Sequence, residues 1–206
     1  MPGAAKSPIP ADPPVDPLRL FEAWYAEAVA CSRIKYAHAA CLSTTGLDDL
    51  PDARIVLAEL HDASAFVFFT DAGSVKGRSL ARSPEAALTF YWGPLDRQIR
   101  IRGVVEPGSE DLSDRCFNQR PRAAQITAWA SRQSRERRAG ELEERVEAFT
   151  ERFADSDRVP RPPHWQAYRL VPRVLEFWLA KAGRLHDRLL YSRGSDGSWT
   201  TSRLEP

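Results

Sequence analysis

The chain has 206 residues, with 29 lysines and arginines against 28 aspartates and glutamates, so its charge gives no reason to expect nucleic acid or a membrane surface as a partner. Three cysteines without zinc-site or disulfide spacing are typical of a reducing compartment. No apolar run approaches the roughly 20 residues that cross a bilayer, and no signal peptide is recognisable. We therefore expect a cytoplasmic globular protein without a metal site.

The N-terminal region begins with a segment rich in proline and alanine. Residues 1–15 hold almost no large apolar side chains and predict a flexible arm. Asp16 can then cap a helix that has Pro17 in its first position. Leu20 and Trp24 recur at helical spacing, so one face of this helix is expected to be buried. We place residues 16–206 in a single domain.

Apolar and β-branched runs predict a series of short strands. In residues 97–105 apolar and polar side chains alternate strictly, which indicates a strand with one buried face. Gln98, Arg100 and Arg102 share its polar face. The chain is predicted to end in a β-hairpin around a turn at residues 194–197. The predicted strands are residues 37–45, 54–60, 65–70, 87–92, 97–105, 174–179, 189–193 and 198–201.

Helical signals lie between these strands. Ser74 can cap a short helix, and residues 109–118 and 138–155 have helical patterns, whereas residues 125–134 fit either a loop or a short helix. This order lacks the regular β-α-β alternation of a doubly wound sheet. We therefore predict a fold that is mainly β with peripheral helices (α+β), built as an antiparallel barrel.

Charged and amide side chains carry the functional signal, because the sequence has no glycine-rich phosphate loop, HExxH, CxxC pair or GxSxG elbow. Residues 184–188 combine two arginines, a histidine and an aspartate, which fits either recognition of an anion or a carbonyl-rich ring, or a salt-bridged surface turn. A wider set could converge on a phosphorylated planar ligand. That set is Arg54, Lys76, Gln98, Arg120, Gln133, Arg184 and Arg188.

Several segments match a known family in order and separation. From about Asp16 to the last residue, the chain resembles the pyridoxamine 5′-phosphate oxidase family of FMN-dependent split-barrel flavoenzymes. The resemblance implies an FMN-binding split β-barrel that includes a C-terminal dimerisation and active-site segment. The matching segments are residues 54–57, 69–70, 76–78, 97–98, 120–122, 125–126, 128–134, 176–178 and 184–188.

The resemblance also implies a homodimer with FMN at the subunit interface. Arg54 and Lys76 would hold the FMN phosphate together with Thr70, aided by Gln133 and Ser134 of the partner subunit. A dianionic phosphate suits arginine and lysine, so the residue chemistry agrees with this role. The other cofactor-binding positions are Ile55, Val56, Leu57 and Phe69, with Gln98, Trp178 and Arg188 beside the isoalloxazine ring.

Catalysis in the family runs through the flavin, which takes a hydride equivalent from a small-molecule substrate and passes electrons to oxygen. By resemblance, Arg184 and His186 are the catalytic residues on the substrate side of the flavin. The protein supplies placement and electrostatics while the cofactor supplies the redox chemistry.

The substrate half of the family pattern is largely missing. Family members that act on pyridoxamine phosphate bind its phosphate through a lysine, a tyrosine, an arginine and a serine. A carboxylate at one position and two lost donors should weaken phosphate binding by orders of magnitude. Val75 also replaces an arginine of the cofactor site. The four substrate positions in this chain are Glu59, Cys116, Arg120 and Ala124.

These departures favour one function over three alternatives. We expect an FMN-dependent oxidase for a non-phosphorylated cyclic or aromatising substrate of specialised metabolism, similar to the flavin oxidase of phenazine biosynthesis. The alternatives are an authentic oxidase that makes pyridoxal 5′-phosphate, a non-catalytic flavin-binding protein, and a structural dimer without cofactor. Glu59 could equally be a solvent-facing strand residue. The expected substrate-binding residues are Arg120, Arg184, His186 and Glu59.

Overall fold

The structure is a computed structural model that describes residues 7–61 and 64–206. Its α-helices are α1 (Pro17–Ala30), α2 (Val75–Arg82), α3 (Glu110–Asn118), α4 (Arg122–Ala130) and α5 (Glu141–Arg152). Its strands are β1 (Ala39–Thr45), β2 (Pro51–His61), β3 (Ala65–Asp71), β4 (Glu85–Trp92), β5 (Arg97–Pro107), β6 (Trp165–Leu179), β7 (Asp187–Arg193) and β8 (Trp199–Arg203). None of these helices is long and apolar enough to cross a membrane.

All eight strands form one antiparallel sheet in the order β3-β2-β1-β4-β5-β6-β7-β8. β6 also pairs with β3, which closes the first six strands into a barrel. The two halves of β6 differ in role, because residues 165–170 pair with β3 whereas residues 174–179 pair with β7. This topology confirms the predicted antiparallel barrel with peripheral helices.

The long strand β6 passes its neighbour β5 at very short range near the middle. The β5–β6 register shifts between Arg102 and Gly103. A Cβ atom at Gly103 would lie 2.0 Å from the carbonyl oxygen of Val171, so glycine is required at this approach. The sequence pattern predicted only residues 174–179 as a strand, since the first half of β6 is interrupted by polar side chains.

Helix α1 supplies the centre of the barrel core. Asp16 caps it by accepting a hydrogen bond from the Leu18 N–H at 3.0 Å, as the sequence predicted. Phe21 meets the edge of Phe66 at a centroid distance of 4.7 Å, and Trp24 meets Phe177 at 5.4 Å. Both α1 side chains are essentially fully buried.

The N-terminal arm is packed against the barrel from Ser7 onward, in contrast to the predicted flexibility of residues 1–15. Ile9 is buried in the main core. The Ser7 carbonyl accepts a hydrogen bond from Arg97 Nη2 at 2.7 Å, and the Pro14 carbonyl accepts one from the Tyr191 hydroxyl at 2.9 Å. Backbone carbonyls thus anchor a segment that has few apolar side chains. Residues 1–6 lie outside the described residues.

Helices α3, α4 and α5 form a second layer beside β3 and β6. The second apolar cluster, which includes Phe117, Ile126 and Trp165, joins them to the barrel. Residues 122–130 form a helix, which resolves the loop-or-helix alternative. α5 starts at Glu141 rather than at residue 138, because Gly140 adopts a left-handed conformation (φ 80°) just before it.

Candidate cofactor and substrate site

The polar side chains predicted to hold a phosphate meet at the end of β3. Lys76, on α2, donates from Nζ to Gln133 Oε1 at 2.9 Å and to Thr70 Oγ1 at 3.3 Å. The Thr70 hydroxyl itself donates to Gln133 Oε1 at 2.8 Å. Ser74 caps α2 through a bond from the Gly77 N–H and so fixes the direction from which Lys76 enters.

Arg54 lies on the neighbouring strand β2 and is held from both sides. Its Nη1 donates to Thr44 Oγ1 at 2.9 Å, and its Nη2 forms an ion pair with Asp52. Asp52 and Thr44 are register partners across β1 and β2, so the ladder itself orients the guanidinium. Sequence reasoning missed both residues, although the two-residue spacing of Asp52 and Arg54 places them on one strand face.

The charges of this region act on one another. Burial lowers the pKa of Lys76, and the positive charge of Arg54 lowers it further, while Asp71 and Asp52 oppose these effects. Two cations that destabilise each other in a half-buried site are stabilised when an anion binds between them. We call the set Arg54, Thr70, Lys76, Gln133 and Ser134 the cationic cluster.

Gln133 and Ser134 reach this cluster within a single chain. The Ser134 hydroxyl accepts a hydrogen bond from the Val75 N–H at 3.3 Å, and Ser134 has a positive φ of 69° that turns the loop toward α2. The family resemblance implied that these two residues come from the partner subunit, whereas here both contact residues of their own chain. The loop after α4 folds back onto α2, which residue spacing alone did not reveal.

The apolar cofactor positions on β2 and β3 lie at the edge of the same region. Ile55 and Leu57 point outward and are 66% and 56% exposed, whereas Val56 faces the barrel core. Phe69 stacks on Trp165 with a centroid distance of 4.9 Å. Two large exposed aliphatic side chains beside a cationic cluster leave an apolar surface open to a further partner.

The residues predicted to lie beside the flavin ring form a second group on a different part of the sheet. Gln98 of β5 pairs with Trp178 of β6, and Trp178 pairs with Arg188 of β7. These three side chains therefore form one row across neighbouring strands. His186 lies against Trp178 at a centroid distance of 4.7 Å and accepts a hydrogen bond at Nδ1 from the Lys181 N–H at 3.2 Å.

The second group is held by a buried carboxylate that sequence reasoning missed. Glu176 accepts from Arg188 Nε at 2.9 Å and pairs with Arg100 Nη1 at 3.0 Å. The side chain of Glu176 is 9% exposed, so the two arginines neutralise a charge that is costly to bury alone. Arg188 also donates to the Glu205 carbonyl at 2.8 Å.

Arg184 lies in a short 3₁₀ turn at Ala182–Arg184 and has a positive φ of 62°. The neighbouring Asp187 forms an ion pair with Lys181 at 2.6 Å. The turn at residues 184–188 is therefore partly salt-bridged, which was one of its two predicted interpretations. Arg184 and His186 lie in the connection between β6 and β7. We call Gln98, Trp178, Arg184, His186 and Arg188 the C-terminal group.

The two groups are separate in one chain. Arg54 lies on β2, whereas Trp178 lies on the half of β6 that pairs with β7. No hydrogen bond, ion pair or ring contact of the described residues joins the two groups. The structure thus brings the predicted site residues together as two half-sites and not as one pocket.

Arg120 lines a cavity of about 390 Å³ next to the cationic cluster. Its guanidinium lies over the Trp165 ring at 5.0 Å, and within the described residues it forms no ion pair. Burial lowers the pKa of Arg120. Thr70 and Gln133 line the same cavity, so it opens beside the predicted phosphate position. The other lining residues include Phe69, Asp71, Ala124, Thr127, Ala128, Ser131, His164 and Trp165.

Glu59 lines a smaller cavity of about 200 Å³ on the other side of Phe69. Cys116 also lines this cavity. Burial raises the pKa of the Cys116 thiol; the positive charge of Arg115 lowers it, and the negative charge of Glu59 raises it further. The remaining walls are mainly apolar: Leu57, Leu60, Val67, Phe69 and Leu112, with His38. The four positions compared with the family's phosphate ligands therefore flank one aromatic side chain.

Two family models match the chain. Residues 27–153 match the family model described as pyridoxamine 5′-phosphate oxidase, which is more than half of the chain. The chain belongs to the pyridoxamine 5′-phosphate oxidase family. Residues 165–206 match the pyridoxine 5′-phosphate oxidase C-terminal dimerisation region, which supports a homodimer for this family member.

Relatives in the pyridoxamine 5′-phosphate oxidase family cover nearly the whole chain. A pyridoxine/pyridoxamine 5′-phosphate oxidase of Burkholderia multivorans (strain ATCC 17616 / 249) is 49% identical over 200 residues, spanning 95% of this chain and 92% of the relative. The protein of that name from Ralstonia pickettii (strain 12J) is 45% identical over 197 residues, with the same two coverages.

Solved structures in the family share the fold. PhzG from Burkholderia lata 383, solved in complex with tetrahydrophenazine-1-carboxylic acid, has a TM-score of 0.89 and 32% identity, with 97% of each chain covered. An FMN binding protein from Nostoc punctiforme PCC 73102 has a TM-score of 0.73 and 18% identity, over 90% of this chain and 97% of that one, and shows the fold alone. The family match and the names of these relatives together support the assignment of this chain as an oxidoreductase.

Proposed function

We propose that this chain is an FMN-dependent oxidase that acts on a non-phosphorylated cyclic substrate of the dihydrophenazine type, with oxygen as the final acceptor. The observation that carries the proposal is the charge of the substrate cavities. Arg120 is the one cation among the four positions compared with the family's phosphate ligands, and Glu59 places a carboxylate where a lysine would stand.

The cationic cluster fits an FMN phosphate. Lys76 and Arg54 supply two positive charges, and Thr70, Gln133 and Ser134 supply neutral hydrogen-bonding groups around them. A dianion suits this set because it offsets the mutual repulsion that lowers the pKa of Lys76. When bound, FMN supplies the two-electron redox chemistry that the amino acid side chains lack.

The grouping of the predicted site residues into two half-sites supports a cofactor site shared between subunits. Within the described residues, no hydrogen bond, ion pair or ring contact joins the C-terminal group to the cationic cluster of the same chain. In a homodimer, the C-terminal group of one subunit would face the cationic cluster of the other. Exposed Ile55 and Leu57 supply apolar surface for such an interface.

Each residue of the C-terminal group has a physical role in this arrangement. Gln98 and Arg188 carry donors that suit the carbonyl oxygens of a flavin ring, and Glu176 keeps Arg188 in place. Trp178 supports His186. Arg184 and His186 would orient the substrate carboxylate or ring nitrogens, and His186 can hold a proton at Nε2 while Nδ1 accepts from the backbone.

A test of the proposal compares electron donors in the flavin-loaded protein. The protein is mixed anaerobically with a dihydrophenazine carboxylic acid, pyridoxine 5′-phosphate or pyridoxamine 5′-phosphate, and loss of the yellow flavin absorbance is followed. We expect the dihydrophenazine acid to reduce the flavin at least about 100-fold more efficiently, as loss of phosphate contacts should cost about 3 kcal/mol. Chemical reduction of the same sample controls for an inert flavin.

The second candidate is an authentic pyridoxine/pyridoxamine 5′-phosphate oxidase. The observation that favours it is the 49% identity to a curated relative of that name over 95% of this chain, against 32% to PhzG. Turnover of pyridoxine 5′-phosphate at ordinary catalytic efficiency would establish this candidate and reject the first. Flavin that no donor in the set reduces would point to a non-catalytic flavin-binding protein.

A further inference from the structure

We infer that Tyr91 is a further cofactor-positioning residue, whose phenol ring lies against the flavin that the C-terminal group binds. The inference rests on the proposed function and adds one residue of β4 to the shared cofactor site. The sequence pattern gives Tyr91 no special place, because it lies inside the strand-forming run at residues 87–92. Its role follows from the register of the strands.

Tyr91 continues the row of side chains that crosses β5, β6 and β7. It is the register partner of Gln98, which pairs in turn with Trp178. Side chains that lie directly opposite each other on neighbouring strands share one face, with Cβ atoms about 5 Å apart. Phe90 and Trp92, on either side of Tyr91, are buried in the core, so Tyr91 points away from the barrel. The row of proposed flavin-ring residues therefore has a further member on β4.

Tyr91 presents an open ring and an unused hydroxyl on this face. Its side chain is 68% exposed, and the hydroxyl forms no hydrogen bond within residues 7–61 and 64–206. A large aromatic surface with a polar tip is typical of a place where another molecule binds. A planar ring with carbonyl oxygens at its edge suits both parts, because the phenol offers an aromatic contact and the hydroxyl offers a donor.

The backbone of Gly93 fixes the direction of the Tyr91 ring. A Cβ atom at Gly93 would lie 3.2 Å from Tyr91 Cε1 and 3.3 Å from the hydroxyl oxygen, so the ring lies along the chain toward the 3₁₀ turn at Gly93–Leu95. A hydrogen bond of 2.9 Å from the Ala180 N–H to the Asp96 carbonyl joins the end of this turn to the segment after β6. That segment leads into the turn of the C-terminal group. The ring is therefore directed to the end of the sheet at which the C-terminal group lies.

The test compares the dissociation constants of FMN and riboflavin, which share the ring but differ in the phosphate. Tyr91→Ala should weaken the binding of both by about 10-fold, because an aromatic contact with the ring is lost and the phosphate contacts are kept. Lys76→Met should weaken the binding of FMN alone. Tyr36→Ala, which replaces an exposed tyrosine before β1, is the matched control and should change neither constant.

Gly93→Ala gives a second variant that keeps the tyrosine. The added methyl group would meet the Tyr91 ring at 3.2 Å and displace it, so the affinity for both flavins should fall by about 3-fold. In a Tyr91→Ala background the same substitution should have no effect, since no ring remains to be displaced. An equal loss in both backgrounds would assign the effect to the turn itself and contradict the contact.

The fluorescence of the bound flavin supplies a readout that packing between subunits would not change. A phenol in contact with an excited flavin quenches its emission by electron transfer. The measurement uses a Trp178→Phe background, because the neighbouring indole quenches in the same way. In this background Tyr91→Phe should lengthen the emission lifetime of the bound flavin. An unchanged lifetime, or flavin affinities in Tyr91→Ala equal to those of the wild type, would overturn the inference.

The proposed function is judged separately by the flavin-reduction assay. A wild-type protein that binds flavin and oxidises the dihydrophenazine acid, while Tyr91→Ala loses no affinity, would reject this inference alone. Loss of affinity in Tyr91→Ala, together with efficient turnover of pyridoxine 5′-phosphate, would reject the proposed substrate and support the role of Tyr91. Wild-type protein that binds neither FMN nor riboflavin would reject both.

Discussion

Lys76 donates from its ammonium to the Gln133 side-chain oxygen across 2.9 Å, and this contact joins helix α2 to the loop that follows α4. The two residues are 57 positions apart in the chain. Thr70 bonds to both of them, so one hydroxyl, one amide and one ammonium form a closed set of hydrogen bonds. The cationic cluster, which we propose as the phosphate half-site, is therefore built from residues of one chain.

Replacement of Lys76 by methionine should weaken FMN binding by about 10- to 100-fold, because the variant loses a charge-assisted hydrogen bond to the phosphate but keeps a similar side-chain length. The measurement is fluorescence quenching of free FMN titrated with apoprotein. Arg78→Met, an exposed position on the same helix, is the matched control and should leave the dissociation constant unchanged. Equal losses in both variants would mean that Lys76 acts only through general charge.

Mixed dimers should show that Lys76 and Gln133 serve the same flavin from one subunit. If Lys76→Met subunits are combined with Gln133→Ala subunits, each site of a mixed dimer lacks one of the two residues, and tight flavin binding should not return. Were Gln133 supplied by the partner, one site of each mixed dimer would regain both residues. Recovery of about half of the wild-type flavin content would therefore contradict the single-chain cluster.

The double variant Glu59→Lys with Ala124→Ser should bind pyridoxal 5′-phosphate more tightly than the parent. The change removes a repelling carboxylate and adds one cation and one hydroxyl beside Arg120, which together should improve affinity by about 100-fold or more. The binding of pyridoxal 5′-phosphate is followed by its own absorbance. The control variant is Glu59→Gln with Ala124→Ser, which removes the carboxylate without adding a cation. Comparison of the two variants separates the effect of removing repulsion of the phosphate from the effect of adding a positive charge. No gain in either variant would show that these positions do not face a substrate phosphate.

Glu27→Gln should lower the free energy of unfolding by about 1–3 kcal/mol at neutral pH, since Glu27 pairs with the fully buried Arg97 at 3.0 Å. Burial alone would raise the pKa of Glu27, but the hydrogen bonds from Ser7 and the charge of Arg97 together lower it. The ionised Glu27 carboxylate therefore stabilises the folded protein fully above its unfolded pKa of about 4.5, and this stabilisation is lost as the pH falls through the lower pKa of the folded state.

Urea unfolding at neutral and acidic pH measures this contribution. The control is Glu22→Gln on the same helix, whose exposed pair with Arg19 at 3.8 Å should change stability by less than about 0.5 kcal/mol. The difference between wild type and Glu27→Gln should shrink in acid. A difference that is independent of pH would assign the loss to packing and not to charge.

Tyr191→Phe should make the protein less sensitive to alkali. Burial raises the pKa of Tyr191 to about 12, with a further rise from Asp16 against the effect of Arg203. The hydroxyl contributes stability that is fully present below the unfolded pKa of 10.0 and is lost as the pH rises through the folded value. The thermal unfolding temperature should therefore fall more steeply between about pH 10 and 12 in the wild type than in the variant. Identical pH profiles would contradict this assignment.

Local pattern was enough to predict most of the fold. Alternation in residues 97–105 and the caps at Asp16 and Ser74 correspond to elements of the structure, because these signals depend on neighbours in the chain. The first half of β6 and the packing of residues 7–15 were not predicted. Both depend on partners more than 80 residues away, such as Phe66 for Leu170 and Arg97 for Ser7.

The sequence by itself determined which chemical groups are present: the cations Arg54 and Lys76, an arginine and histidine turn at residues 184–188, and a carboxylate at Glu59. The tertiary structure alone decided how those groups are divided. Gln133 folds onto Lys76 in its own chain, whereas Trp178 pairs with Gln98 and Arg188 of its neighbouring strands. The physical reason is that strand order and barrel closure set distances between residues far apart in sequence, and no local spacing carries that information.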